Sequence, residues 1–563
     1  MKPSEKGFSL QSEGFIESHP FVLLTIACML VLSLFTNGAK HGMSVERIYV
    51  LFALTVAASI FALRKQKYRL FIQQNYIFVV LIVLFIALVF VLFLNSTQPL
   101  LFIFVAEILF LAGLLFYFKR KGTLTTKKIL FLIAAASFLL RVLYILYTPY
   151  NVRQHDVFDI GSDQGHIAYI EYLLNHNFAL PNFDPRAVFQ FYQPPLHYLI
   201  AAICVKFNTL LGMDYTQAVE SIQVLTLFYS GCITILCYKL LKEFHLQKTA
   251  LIIPFAILCF HPSLIILSGS INNDALCFTL MLAAVLAAVR WYKNPDSKKI
   301  LLIAVFLGFA MNTKASAGLM APAVAVLFLA KLFQAKGYRR RIITQLLAFG
   351  LICIPIGLWW IVKNNLQYGM PLTYVPKLSL NSSQYIGDYS WYQRFFDFDP
   401  LKFKSIFINW DKPFRDFNIW ITTLKSSVFD EYATDTLNVI PAKLLFYSNL
   451  VLVLLSAVCG IMFLYKKQRN ADIAIKAFIC TLFAGIFGSY LQFCLEFPHI
   501  CTMSFRYIEM TLVTGVLGIG FVLNGLQQKQ SNFPIIFVRV SQAAAFLFCF
   551  CSVVFFTVMG IST

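Results

Sequence analysis

At 563 residues, 59% hydrophobic and only 13% charged, the chain is not a soluble globular protein, because its charged share is about half the usual one. A formal charge of +20 would point to nucleic acid in a soluble domain. Here the basic residues lie in short loops between apolar runs, where positive charge reports membrane orientation, so nucleic acid is excluded as a partner.

Taken in chain order, apolar runs long enough to cross a bilayer fall at 21–36, 47–63, 74–94, 99–118, 128–147, 218–240, 249–268, 273–291, 299–313, 315–333, 343–363, 444–464, 473–491, 508–526 and 535–558. The first follows Pro20 without a small-residue cleavage site and reads as a retained helix. The basic loops at 64–69, 119–128, 239–248, 290–299, 331–341 and 466–469 should all face the cytoplasm. They do so only if the apolar stretch 196–213 is re-entrant or interfacial rather than crossing. The expectation is an all-α polytopic membrane protein of about 15 spans, N-terminus inside and C-terminus outside. Residues 1–127 read as an N-terminal four-span module, 128–364 as a core and 444–563 as C-terminal spans. Two long segments, 148–195 and 365–443, face outward, and long loops are where such a protein builds a site. Asn95 and Asn381 occupy sequons on that side.

The 13 cysteines lie mostly within apolar runs and read as small buried side chains, with Cys494 and Cys501 as the one pair placed to bridge an outer segment. The first outer segment carries the densest polarity. His155, Asp156 and Asp159 sit on a loop, and GSDQGHIAYIEYLLNHNFALP follows at 161–181. From Ile167, the residues Ile170, Leu173 and Leu174 recur at the spacing of one helix face. Asp163 at its approach is either a helix cap or a working acid. FYQPPLHYLI at 191–200 then opens an apolar helix through two prolines.

This order of features resembles the first outer loop of the GT-C glycosyltransferases, above all the branch with the protein O-mannosyltransferases and the lipid A aminoarabinose transferase. Further segments are similar to that family: SGSINNDALCF at 268–278, GFAMNTKASAGLMAP at 308–322, WWIVKNNLQYGMPLTY at 359–374 and MSFRYIEM at 503–510. The similarity runs from about 128 to 526. Two positions depart from the family pattern: Gln164 stands for the second acid of an Asp-Glu pair, and Gln193 for a basic residue before Pro-Pro-Leu.

The resemblance implies a GT-C-like transmembrane core that moves a sugar from a polyprenyl-phosphate donor to a lipid, glycan or protein acceptor at the outer face, with inversion. A bacterial cytoplasmic membrane is the expected setting. The general base would be Asp163, with Asp156 as the alternate, worth typically ~10²–10⁴-fold in rate. Arg506, Lys314 and Tyr507 would hold the donor phosphate, since a guanidinium clamps phosphate oxygens bidentately. His155, His166, Tyr192, His197, Asn273 and Asp274 would bind substrate. No cofactor is required; a divalent cation on oxygen ligands is left open, with no compact ligand cluster in the sequence. A lipid-linked-sugar transporter or flippase, or a non-catalytic envelope-assembly subunit, are the other readings. Transporters of that kind usually show related halves and polar residues deep in the spans, whereas polarity here concentrates in the two outer segments.

Overall fold

The computed structural model describes residues 99–562, apart from 211, 434–437, 466–470 and 528–531. The expected spans at 21–36, 47–63 and 74–94, and with them most of the 1–127 module and Asn95, lie outside the described residues. The described residues belong to one compact unit, Ile77–Thr563, and carry no strand beyond an isolated bridge between Tyr385 and His499.

The helices are α1 Pro99–Arg120, α2 Thr126–Tyr147, α3 Gly165–Asn175, α4 Leu196–Leu210, α5 Tyr215–Glu243, α6 Thr249–Phe260, α7 Pro262–Gly269, α8 Asp274–Lys293, α9 Ser297–Met311, α10 Ala315–Gln334 and α11 Arg339–Tyr368. After the second long loop come α12 Trp391–Phe396, α13 Ile419–Phe429, α14 Val439–Tyr465, α15 Ile473–Glu496, α16 Glu509–Leu526 and α17 Asn532–Ser562. Among the described residues nine helices are long and apolar enough to cross a membrane, or ten if the bent pair α6–α7 is one span. The chain is an integral, multi-pass, all-α membrane protein.

Two expected spans differ in detail. The run 249–268 is broken: α6 and α7 meet at 54° around His261 and Pro262. Pro262 lacks the N–H that would continue the helix, and the bend turns the next residues toward the cleft described below. The run 299–313 forms a helix of 15 residues, Ser297–Met311. So does 196–213, as Leu196–Leu210. At 1.5 Å per residue such a helix is about 22 Å long, short of the ~30 Å hydrocarbon core. In α9 the close fit against α11 is set by glycines. A Cβ on Gly308 would meet Ile356 at 3.0 Å, and one on Gly357 would meet Met311 at 3.1 Å.

One end of the bundle gathers the basic loops 239–248, 290–299 and 331–341. Arg290 and Lys293 at the end of α8 pair with Glu243 at the end of α5, while Tyr292 donates to Asp472 at the start of α15 (2.6 Å) and accepts from Gln334 at the end of α10 (2.9 Å). Within the apolar region Arg141 of α2 is buried and engaged through its Nε and Nη1. It donates to Ser230 Oγ of α5 and to the Cys259 carbonyl of α6, both at 2.8 Å. A charge in a bilayer is tolerated only with such partners.

The second long loop is held by a buried ion pair, Lys425 Nζ to Asp416 at 2.7 Å, and Asp416 also accepts from Asn409 N–H. Cys494 and Cys501 are both free thiols, not a bridge; Cys494 Sγ instead faces the Thr502 carbonyl at 3.3 Å.

Candidate active site

The two long loops converge on a polar cleft at the end of the bundle opposite the basic one. Its walls include Arg153 and His155 of the first loop, Ser263 and Asn272 around the break after α6, Asp274 at the start of α8, Asp430 after α13, and Arg506 and Glu509 leading into α16.

Asp156 enters this arrangement because the first loop folds back on the start of α3. The His166 N–H bonds to the Asp156 carbonyl at 2.9 Å, and the Gly165 N–H to Phe189 O at 3.2 Å. Gly165 has φ +93, and a Cβ there would lie 2.6 Å from Asp156 O and 2.4 Å from Phe158. Only glycine permits both this backbone and this contact. The Asp156 carboxylate accepts from Gln190 Nε2 at 3.0 Å and lies 3.7 Å from the Arg506 guanidinium. Asp156 (φ 56), Arg153 (φ 54) and Asp430 (φ 54) are all non-glycine residues in the left-handed region. Such strain, of order 1–3 kcal/mol each, clusters at functional sites.

Asp163, the first choice for the base, is exposed and does not line the cleft. It caps nothing either, since Gln164 is the N-cap of α3 and makes no side-chain capping bond. The expected helix face is formed, with Ile167, Ile170 and Leu173 buried and Leu174 half-buried.

Gln193 has a role that a basic residue could not fill. Its Nε2 donates to Gln190 Oε1 and its Oε1 accepts from Asn273 Nδ2, both at 3.4 Å; an ammonium has no acceptor. Asn273 Nδ2 also donates to Thr313 O at 2.7 Å. One relay of amides thus joins Asp156 to the start of α8 and to the residue before Lys314. Lys314 forms an ion pair with Asp274, and its ammonium lies over the Tyr507 ring, 5.3 Å from the centroid. The Tyr507 hydroxyl accepts from Arg506 Nη2 at 2.9 Å.

The 359–374 motif braces the first loop from α11. Trp360 donates to Tyr192 O at 3.2 Å, Lys363 to Pro181 O at 3.0 Å, and Arg186 reaches Tyr368 O at 2.7 Å. Tyr192 itself packs edge-on against Tyr374 of the second loop. His166 and His197 are buried and hydrogen-bonded away from the cleft, His166 to the Tyr198 hydroxyl and His197 to Ile271 O, each at 2.7 Å. Burial pushes the His166 imidazole down to about 3, so it stays neutral.

His155 bridges the loops, its Nε2 2.6 Å from Asp430 and its Nδ1 3.9 Å from Glu431. Burial and Arg506 act to lower its pKa, but the two carboxylates outweigh them and the net shift is upward. Burial, and then the Asp430 charge beside it, raises Glu431. The ligand atoms of His155, Asp430 and Glu431 lie within 4.8 Å of one another, and Glu431 Oε1 is buried without a hydrogen-bond partner. One imidazole and two carboxylates with a spare oxygen fit a divalent ion. Among the described residues this is the group of three such side chains that could hold one. Sequence reasoning passed over Asp430, Glu431 and Glu509. The signal for the first two was the acidic pair in VFDEYA, next to the span at 444–464.

Residues 193–360 match the family model described as dolichyl-phosphate-mannose-protein mannosyltransferase. Through this segment the chain is similar to that family. The matched segment holds Gln193, Asn273, Asp274, Lys314 and the α11 motif as far as Trp360. His155, Asp156, Asp430 and Arg506 lie outside it. No curated protein matches the chain. Among solved structures the chain is similar to an Archaeoglobus fulgidus oligosaccharyltransferase tethered to an acceptor peptide with an NVT sequon. The two share 14% identity with a TM-score of 0.42, over 77% of this chain. The chain spans about half the length of that structure, 55% of it.

Proposed function

We propose that the protein transfers a sugar from a polyprenyl-phosphate carrier to an acceptor hydroxyl or amine, with inversion, at the outer face of what we take to be a bacterial cytoplasmic membrane. The observation that carries this reading is the Asp156 carboxylate 3.7 Å from the Arg506 guanidinium beside the cleft. The transfer needs a base for the acceptor proton and a cation for the departing phosphate, side by side.

Asp156 accepts the acceptor's proton as its oxygen or nitrogen attacks the anomeric carbon. The bond from that carbon to the phosphate oxygen breaks on the opposite face, and the bonding pair leaves with the phosphate. Arg506 and Lys314 meet the growing negative charge, which is the electrostatic stabilisation that usually contributes most. Asp274 holds Lys314 in place, and Tyr507 does the same for Arg506. A divalent ion on His155, Asp430 and Glu431 would add positive charge at the same place when bound. The gathering of the basic loops at the other end of the bundle supports an outward-facing cleft.

The test is release of free carrier phosphate by purified protein from a panel of polyprenyl-phosphate sugars. Asp156→Asn should lower turnover at least ~10²-fold, with Asp163→Asn within about twofold of wild type. The opposite pattern returns the role to Asp163. Full activity in both variants ends the transferase reading.

A further inference from the structure

The second long loop carries an apolar surface that the cleft does not use. Ser390 caps α12 through a reciprocal box with Gln393, so this short helix, WYQRFF, has a fixed start. Trp391, Tyr392 and Phe396 are 65%, 62% and 56% exposed. Their rings form one cluster, with the Tyr392 and Phe396 centroids 5.3 Å apart, and Phe398 just beyond the helix is exposed as well. Arg394, the charged residue of α12, lies on the other side: it is buried and donates to the Cys494 carbonyl near the end of α15 at 2.7 Å. The helix is thus held by its polar side with its aromatic side outward, the reverse of a helix on a soluble core.

Two contacts set the depth of this segment against the bundle. The Trp420 indole of α13 donates to the Phe395 carbonyl of α12 at 3.0 Å and packs on Phe487 of α15, centroids 5.7 Å apart. Beyond α12, the Phe403 carbonyl accepts from the Tyr447 hydroxyl of α14 at 3.2 Å. Both α14 and α15 are long and apolar enough to cross the membrane. Counted from the cleft end, Tyr447 lies three residues inside the apolar run 444–464 and Phe487 four residues inside 473–491. That is about 5–6 Å along the helix axis, the depth at which amphipathic helices lie between headgroups and acyl chains. Asn418 Nδ2 also donates to the Asp397 carbonyl at 2.9 Å, which ties the end of α12 to the start of α13.

We infer that α12 is an interfacial membrane anchor: Trp391, Tyr392 and Phe396, with Phe398, insert among the lipid headgroups of the leaflet at the cleft end of the bundle. Tryptophan and tyrosine favour that zone because each has an apolar body and a polar edge. The exposed face of α12 carries no charged side chain, so it recognises the boundary between water and hydrocarbon and not the charge of the lipid. The anchor fixes the second long loop to the bilayer. Through Trp420 it also steadies α13, which ends one residue before Asp430. The inference stands on the membrane fold and holds whatever reaction the cleft performs.

The experiment uses the full chain in phosphatidylcholine nanodiscs, with the fluorescence of Trp391 taken as the difference between wild type and Trp391→Phe. That signal should be shifted to the blue of tryptophan in water and be shielded from acrylamide. Lipid brominated near the headgroup end of its chains should quench it more than lipid brominated near the chain ends. Adding Tyr392→Trp to Trp391→Phe should restore the same pattern, because Tyr392 belongs to the same exposed ring cluster. A signal quenched by acrylamide and untouched by brominated lipid overturns the inference and gives the face to a partner in the water, a soluble protein or a glycan. A signal shielded from both quenchers overturns it in favour of a second copy of this chain. Stronger quenching from the chain ends overturns the interfacial depth. Matching thermal unfolding of Trp391→Phe and wild type excludes misfolding as the source of the difference.

Discussion

Gly165→Ala tests the geometry of the first loop most directly. The added Cβ would lie 2.6 Å from the Asp156 carbonyl oxygen and 2.4 Å from Phe158, where ordinary contact begins near 3.4 Å. The Asp156 backbone must therefore retreat by about 0.8 Å, and a misplacement of about 1 Å at a reacting group costs about 10²-fold in rate. Alanine at φ +93 carries backbone strain as well, of order 1–3 kcal/mol. Gly161→Ala separates the two effects. Gly161 has φ +81 in the same loop but nothing within 4 Å of a Cβ, so it carries similar strain without the clash. Both variants should unfold at lower temperature, but only Gly165→Ala should lose about 10²-fold in carrier-phosphate release. If the two variants turn over alike, Asp156 is not held in its working place by the Gly165 contact, and its assignment as the base loses its structural support.

Three further outcomes are expected. Mn²⁺ or Zn²⁺ should raise the unfolding midpoint of wild type by a few degrees and not that of Glu431→Gln, since binding to the native state alone stabilises it; equal shifts in both remove His155, Asp430 and Glu431 as the ligand group. Arg141→Met should destabilise the bundle by roughly 1–3 kcal/mol, because it leaves the buried Ser230 Oγ without its donor and removes one of the two donors to the Cys259 carbonyl; unchanged thermal unfolding in detergent would contradict this. A membrane-impermeant thiol reagent added from outside, on a chain with its native cysteines replaced, should label Ser379→Cys in the second long loop and miss Gly337→Cys between α10 and α11; the reverse pattern inverts the orientation.

Fold class was legible in the chain because the length of an apolar run is a one-dimensional property, and so is the bias of basic loops. Runs such as 343–363 and 473–491 had to be helices, since lipid offers their peptide groups no other partner. Phe21–Phe35 and its neighbours remain sequence expectations. At 196–210 loop charge argues against a crossing, and the helix there has 15 residues. The break between α6 and α7 was signalled only by the pair His261–Pro262, which hydropathy cannot see. The site was legible by residue type and not by choice. Asp156 and Asp163 look alike on the page, seven residues apart in one acidic loop. What separates them is the turn at Gly165, which folds Asp156 under the helix start toward Arg506 and leaves Asp163 in solvent. His155 and Asp430 are 275 residues apart, and no local pattern links them. Gln193 reads as a lost basic residue until Asn273 is seen donating to it. Electrostatic pairing and hydrogen bonding depend on distance in space, and it is the packing of the spans that brings these distant loop residues within reach.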